Sequence, residues 1–518
     1  MNGNNTSRRH MIQISSAAAL SALVPSSLAA QNYVSQGKEK NPDLPAADND
    51  ICYMKALDLS ALLRNKKISA REVMQAHLNQ IARLNAKVNA IITLLPEDEL
   101  MTGAKAADES LAKGNTTGSL HGLPMAVKDL TETKGIRTTF GSPIWKDNIP
   151  QQDALIVQRQ KKAGAIIIGK TNVPELGMGS QTFNPLFGPT LNPYDVSKTC
   201  GGSTGGGAVA LACGMMPLAD GSDMGGSLRN PGSFCNVVGL RTSPGRVPVV
   251  SKLGWQGLSV QGPMARSVSD CAFLLSVQAG PDNRSPISIM ENPAQFAEPL
   301  KRDFKNVKIA FIKGFGLPWE REVKDAVNAQ RKVFESLGCI VEEDEPDMTD
   351  ANECFVNFRH WQYEAQYGDL LAANSDKMND YTKWHIAEGQ KLTATYLSRL
   401  EMKRTALYRR MQQFLEQYEF LIMPVSQVLP FDVNTHYPTQ IEGVQMLTYL
   451  DWMRSAYYIS VVGNPALSVP CACSKNGLPI GMQIVGRHNA DLAVLQMGYA
   501  FEQATGIGNQ RPKMVSQY

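Results

Sequence analysis

Apolar residues recur at helical spacing after Ser69. Met74, Leu78 and Ile81 share one face of a helix predicted over 69–85, and Ser69-Ala70-Arg71-Glu72 is the capping box that starts it. The pattern then changes. Asn89 to Leu95 reads as a strand, 97–112 as an alanine-rich helix and Leu123 to Lys128 as a buried strand. A helix follows over 153–163, and Ala165-Ile166-Ile167-Ile168-Gly169 is a second buried strand. Strand, helix and strand in alternation favour a layered α/β fold with parallel pairs. Later strands are expected at 308–312, 420–424, 466–471 and 480–485, and a long helix over 391–417 with Leu392, Tyr396, Leu400, Leu407 and Met411 along one side. Tyr194-Asp195-Val196-Ser197-Lys198 is polar and is not expected to be a strand. Residues 285–415 are the most charged and least glycine-rich stretch, and read as a helical lobe or insertion. No internal repeat or low-complexity linker divides the chain.

The N-terminus has a pattern of its own. Arg8-Arg9 precedes an apolar run from Met11 to Val24, and Ser27-Leu28-Ala29 supplies the small residues of a cleavage site. Residues 1–29 are therefore read as an export signal of the twin-arginine type, with the mature chain starting near Ala30 in a periplasmic or secreted location. The run is too short to span a bilayer, and no later segment is long and apolar enough, so no membrane span is expected in the mature chain. The net charge of the 518 residues is +3, or +1 without the leader, which argues against a nucleic-acid partner bound through a general basic surface. Nine scattered cysteines show no zinc-like spacing; buried free thiols are the simplest reading.

Candidate chemistry is concentrated in 200–245. Gly201-Gly202-Ser203-Thr204-Gly205-Gly206-Gly207 and Asp220-Gly221-Ser222-Asp223-Met224-Gly225-Gly226-Ser227 each place a serine among glycines. A phosphate loop lacks its lysine here, and a dinucleotide fingerprint lacks its preceding strand. Gly201-Gly202-Ser203-Thr204-Gly205 matches the nucleophile elbow of an α/β-hydrolase, but again without the strand that the elbow needs. The third reading is acyl transfer by a serine beside an oxyanion hole of backbone N–H groups, with a buried neutral lysine as base. Lys128, at the end of Leu123-Pro124-Met125-Ala126-Val127, is the candidate.

Taken together, these segments closely resemble the amidase signature family. His121-Gly122-Leu123-Pro124-Met125-Ala126-Val127-Lys128-Asp129 is similar to the segment around that family's catalytic lysine. Gly201 to Gly206 is similar to its glycine-serine motif, with Thr204 in place of a second serine, and Asp220 to Pro231 to its following block. Ser203 and Ser227 stand 24 positions apart, as the family's two serines do. The likeness covers about 55–270 and 420–505 and carries little over 285–415. It implies a mixed, mostly parallel twisted central sheet covered by helices on both faces. It also implies a short extension over 30–54 and one amidase domain over 55–518, with a variable helical region at about 285–415.

The resemblance further implies roles. Ser227 is the nucleophile, Ser203 (in a cis peptide) relays its proton, and Lys128 is the base. The N–H groups of Met224, Gly225, Gly226 and Ser227 form the oxyanion hole. Gly177 and Met178 border the substrate, and Asp223 and Arg229 support the site from behind. No metal, nucleotide or organic cofactor is needed. The expected partner is a small-molecule or peptide amide, hydrolysed to a carboxylate and an amine or ammonia. The alternative is the glutaminase subunit of a tRNA-dependent amidotransferase, and a non-catalytic binding protein is a third possibility that the presence of Lys128, Ser203 and Ser227 opposes. Trp361, Trp384, Tyr449, Trp452, Tyr457 and Tyr458 are candidates either for an acyl pocket or for the core. The acyl group and the oligomeric state are not legible.

Overall fold

The computed structural model describes residues 48–516, so the leader assigned to residues 1–29 lies outside the described chain. The capping box forms as predicted: Ser69 Oγ accepts from Glu72 N at 3.1 Å, and Glu72 accepts from Ser69 N at 2.8 Å. The helix it starts runs Ala70–Val88 and ends where Asn89 turns to φ 53°.

The strands that position the site are β1 (Ile91–Leu94), β2 (Pro124–Lys128), β3 (Ile166–Thr171), β4 (Leu218–Asp223), β5 (Val238–Arg241), β6 (Val260–Ala265), β7 (Lys308–Phe311), β8 (Ile340–Glu343), β9 (Phe420–Pro424), β10 (Ala466–Cys473) and β11 (Pro479–Gly486). β1, β3 and β2 form a small sheet in that order. The other eight form the central sheet, in the order β8-β7-β9-β11-β10-β5-β6-β4. The sheet is mixed. Five of its eight strands run one way and three the other, which gives the expected majority direction. Parallel ladders, however, are confined to the β8-β7-β9 edge and to β2-β3, and the remaining neighbours in the central sheet are antiparallel. One cause is local: β10 and β11 are joined by the short turn Ser474–Leu478, which can only return the chain antiparallel.

Both faces of this sheet are buried, and alternate residues serve different cores. Ile309, Phe311, Phe420 and Ile422 belong to one core, which the helices Val268–Gln278 and Asp491–Thr505 complete. Ala310, Leu421 and Met423 belong to the other, with Phe355, Phe358, Leu400, Leu407, Met411 and Tyr457. The long helix runs Ala394–Gln417, so Leu392 precedes it.

Three expectations are corrected. Residues 285–415 are not a separate lobe: they supply β7 and β8, and their helices Ala351–Asn374 and Ala394–Gln417 build the second core. Asp195–Thr199 is a strand after all, paired with Leu191–Asn192 in a hairpin; Val196 and Ser197 are exposed, so its polar sequence suits it. The helix Asp48–Tyr53, in the stretch read as an extension, carries Ile51 and Cys52 into the first core. All nine cysteines are free thiols, eight of them buried. Among the described residues, no helix is long and apolar enough to cross a membrane.

Candidate active site

β2 is apolar up to its last residue and buried along its whole length, so it carries Lys128 into the interior. Its backbone N–H donates to Asp220 Oδ1 on β4 at 3.2 Å, which ties the small sheet to the central one. The ammonium nitrogen then has three hydroxyl neighbours: Ser203 Oγ at 2.9 Å, Thr204 Oγ1 at 2.8 Å and Ser222 Oγ at 3.0 Å. Burial pushes the lysine down to about 7 from its ordinary 10.5, against a partial restoring pull from Asp220 and Asp223. A neutral amine has two N–H donors and one lone pair. Thr204 Oγ1 also lies 3.5 Å from Ser222 O, so Lys128 can donate to Thr204 and keep its lone pair for the proton of Ser203 or Ser222. Lys170 on β3 is also buried and pushed down to about 8, but it bonds Thr131 O and Thr133 Oγ1, so it is Lys128 that reaches the serines.

The backbone around Ser203 is held from outside. The Gly202–Ser203 peptide is cis. Thr182 Oγ1 donates to Gly201 O at 2.8 Å, and Ser180 Oγ to Gly202 O at 2.9 Å. A Cβ at Gly202 would stand 2.8 Å from the Gln181 carbonyl carbon, so only glycine fits there.

Ser227 lies in the loop between β4 and the helix Arg229–Phe234. Asp223 shapes that loop. Its carboxylate accepts from Gly226 N at 3.0 Å and Leu228 N at 3.1 Å, and is gripped by Arg229 and Arg241. Burial alone would raise this carboxyl, but the two guanidiniums outweigh it and hold it well below the usual carboxylate range. Asp223→Asn would leave two buried arginines without their counter-charge. Its unfolding free energy is expected to fall by about 3–5 kcal/mol in urea titration at pH 7, and a loss below about 1 kcal/mol would show that the carboxylate is not what holds them.

Ser203, Ser222 and Ser227 line one cavity of about 320 Å³, with Gly177, Met224, Gly225, Phe140, Tyr363, Tyr367 and Arg359. Most of the sequence-predicted residues therefore meet, with two corrections. The Gly226 N–H is committed to Asp223 and does not face the cavity, whereas those of Met224, Gly225 and Ser227 have no protein acceptor among the described residues. Met178 lies behind the wall, its sulfur turned to Arg359 and Tyr449. The candidate aromatics are mostly core: Tyr449, Trp452, Tyr457 and Tyr458 are buried in the second core, and Trp361 and Trp384 pack against it. Phe140, Tyr363 and Tyr367 line the cavity instead. Sequence reasoning missed Ser222 and Arg359. Ser222 stands inside the second glycine-serine block, so its motif was a usable signal; Arg359 lies in a stretch without one. The polar strand Asp195–Thr199 does supply a strand ahead of the Gly201–Gly205 elbow pattern, but the base beside Ser203 is Lys128 and not a histidine.

The amidase family model matches residues 72–495. An acylamidase of Rhodococcus erythropolis is 32% identical over 470 residues, covering 90% of this chain and 98% of the relative. One subunit of the glutamyl-tRNA(Gln) amidotransferase of Alkaliphilus metalliredigens is 34% identical over 490 residues, covering 89% of this chain and 98% of the relative. Among solved structures, a bacterial aryl acylamidase of the amidase signature family superposes with a TM-score of 0.84 at 26% identity, covering 90% of this chain and 99% of that one.

Proposed function

The chain belongs to the amidase signature family, and from that premise we propose that it is a stand-alone amidase acting through an acyl-Ser227 intermediate. The observation that carries this reading is Lys128 Nζ, buried and pushed down to about 7, at 2.9 Å from Ser203 Oγ in the wall that also holds Ser227. In the proposed cycle Ser227 Oγ attacks the amide carbonyl carbon. Its proton passes through Ser203 to Lys128. The oxyanion is received by N–H groups of the Met224–Ser227 loop, where Gly225 and Ser227 are better placed than Gly226. The C–N bond breaks as the proton returns through Ser203 to the leaving nitrogen. Water then attacks the ester by the same route, frees the carboxylate and restores Ser227. The residues supply both proton transfers and the charge stabilisation themselves.

The amidotransferase relative supports a second reading, in which the same chemistry releases ammonia from glutamine inside a complex. The leader pattern at residues 1–29 favours the exported, stand-alone form. The purified chain, assayed without tRNA on fatty, aryl, peptide C-terminal and cyclic amides and on glutamine, distinguishes them. Repeated turnover of a non-glutamine amide is expected. Glutamine hydrolysis that needs a partner protein would favour the second reading, and a chain that neither turns over an amide nor takes a fluorophosphonate label on Ser227 would sink both.

A further inference from the structure

Arg359 rises from the helix Ala351–Asn374 into the wall of the cavity and is 3% exposed. Other buried arginines nearby are matched by acids: Arg229 and Arg241 share Asp223, and Arg246 holds Asp491. Arg359 has no carboxylate partner among the described residues. Nε donates to Tyr449 Oη at 3.2 Å and His385 Nε2 at 3.3 Å. Nη2 reaches Tyr363 Oη and Met178 Sδ, each at 3.3 Å, and Nη1 is turned onto Met224 Sδ at 2.9 Å. Thioethers are weak acceptors, so Nη1 is poorly satisfied, whereas Nη2 has the Tyr363 hydroxyl and the guanidinium lies over the Tyr363 ring, 4.7 Å from its centroid.

The surrounding groups do not neutralise it. Burial, helped by Arg359, keeps His385 well below its ordinary value, and burial pushes His360 down to about 4, so both rings are uncharged at neutral pH. Burial likewise raises Tyr449, which stays a phenol. The acid that bears on this cluster, Glu388, acts on His360. A desolvated guanidinium without a counter-ion is expensive, and an anion entering the cavity would relieve it.

We propose that Arg359 receives a carboxylate carried by the acyl part of the substrate, remote from the scissile bond, so that the preferred substrates are mono-amides of dicarboxylic acids. Nη1 would donate to that carboxylate once the flexible thioether of Met224, which lines the cavity, moves aside. Met224 begins the loop that carries Ser227, which puts the charge beside the loop proposed to receive the oxyanion. This inference rests on the amidase reading of the same cavity.

The test compares the 4-nitroanilides of glutaric and valeric acid, which differ in a terminal carboxylate. The wild type is expected to favour the glutaryl compound at least about tenfold in kcat/KM, and Arg359→Gln to lose about 30-fold or more on it, mainly in KM, with the valeryl compound changed less than about threefold. Equal losses on both, or no wild-type preference, would overturn the proposal. Glutarate binding by calorimetry needs no turnover. Binding to Ser227→Ala that disappears in the double variant with Arg359→Gln supports the site, and binding indifferent to Arg359 removes it. If neither anilide is hydrolysed and Ser227 takes no fluorophosphonate, yet glutarate binding still depends on Arg359, the amidase reading fails and the carboxylate site stands. Should Arg359→Gln lose its cooperative melt, Arg359→Lys decides: it keeps the charge, so a glutaryl preference retained at least in part supports the site, and a preference lost with the charge still present would count against it.

Discussion

Ser227→Ala is expected to lower kcat by about five to six orders of magnitude, the scale on which loss of a serine nucleophile acts in other hydrolases. The melting temperature should hardly move. The Ser227 hydroxyl makes no hydrogen bond to the protein among the described residues, and the loop around it is held by Asp223, Arg229 and the Gly226 and Leu228 N–H groups instead. Substrate binding should also survive, because the cavity walls come from other elements. Single-turnover kinetics, together with mass spectrometry of fluorophosphonate-treated protein, checks this. The wild type should carry one adduct on the peptide containing Ser227, and the variant none. An adduct on Ser203 in both proteins would exchange the two roles: the nucleophile would be the serine bonded to Lys128, and the Ser227 variant would keep appreciable activity.

How much of this was legible in the sequence depends on whether neighbours in space are neighbours in the chain. β2, β3, β9, β10 and β11 were legible because each is largely apolar, interrupted only by residues such as Lys170, Ser468 and Gln483, the signature of strands covered on both faces. β4 to β6 were not read as strands. They carry Gly221, Gly239, Gly262 and Pro263, which look like turn signals until one sees how tightly they pack: a Cβ on Gly239 would stand 2.3 Å from Leu228 O. The site divides the same way. Lys128, Ser203 and Ser227 lie inside motifs, whereas Arg359 reaches the cavity from a helix more than a hundred residues downstream, in a region read as a helical lobe or insertion. The Gly226 N–H could not have been removed from the oxyanion set by sequence, because its partner depends on where the Asp223 side chain turns.

Lys128→Met is expected to cost about two to four orders of magnitude in kcat, the range that a positioned base contributes, and to erase a pH dependence that the wild type shows. Only the unprotonated amine can take the Ser203 proton. With the lysine at about 7, log(kcat/KM) should rise with unit slope below pH 7 and level off above it, provided chemistry limits the rate. An ordinary lysine would place that midpoint near 10.5, and a profile flat from about pH 5 to 9 would exclude Lys128 as the base. Stability supplies a second readout, in the adjoining pH window. Between about 7 and 10.5 the unfolded chain holds a proton on Lys128 that the folded chain has released, so folding becomes more favourable as pH rises through that window. At or below pH 7 the wild type therefore bears a penalty of several kcal/mol for burying this amine, a penalty that methionine does not carry. The variant's stability relative to wild type should be greatest near pH 6 and fall by a few kcal/mol towards pH 10 in urea titrations. A difference that stays constant across that range would mean that the amine titrates as an ordinary surface lysine does. The hydroxyl cluster of Ser203, Thr204 and Ser222 would then be a structural clasp and not a proton relay.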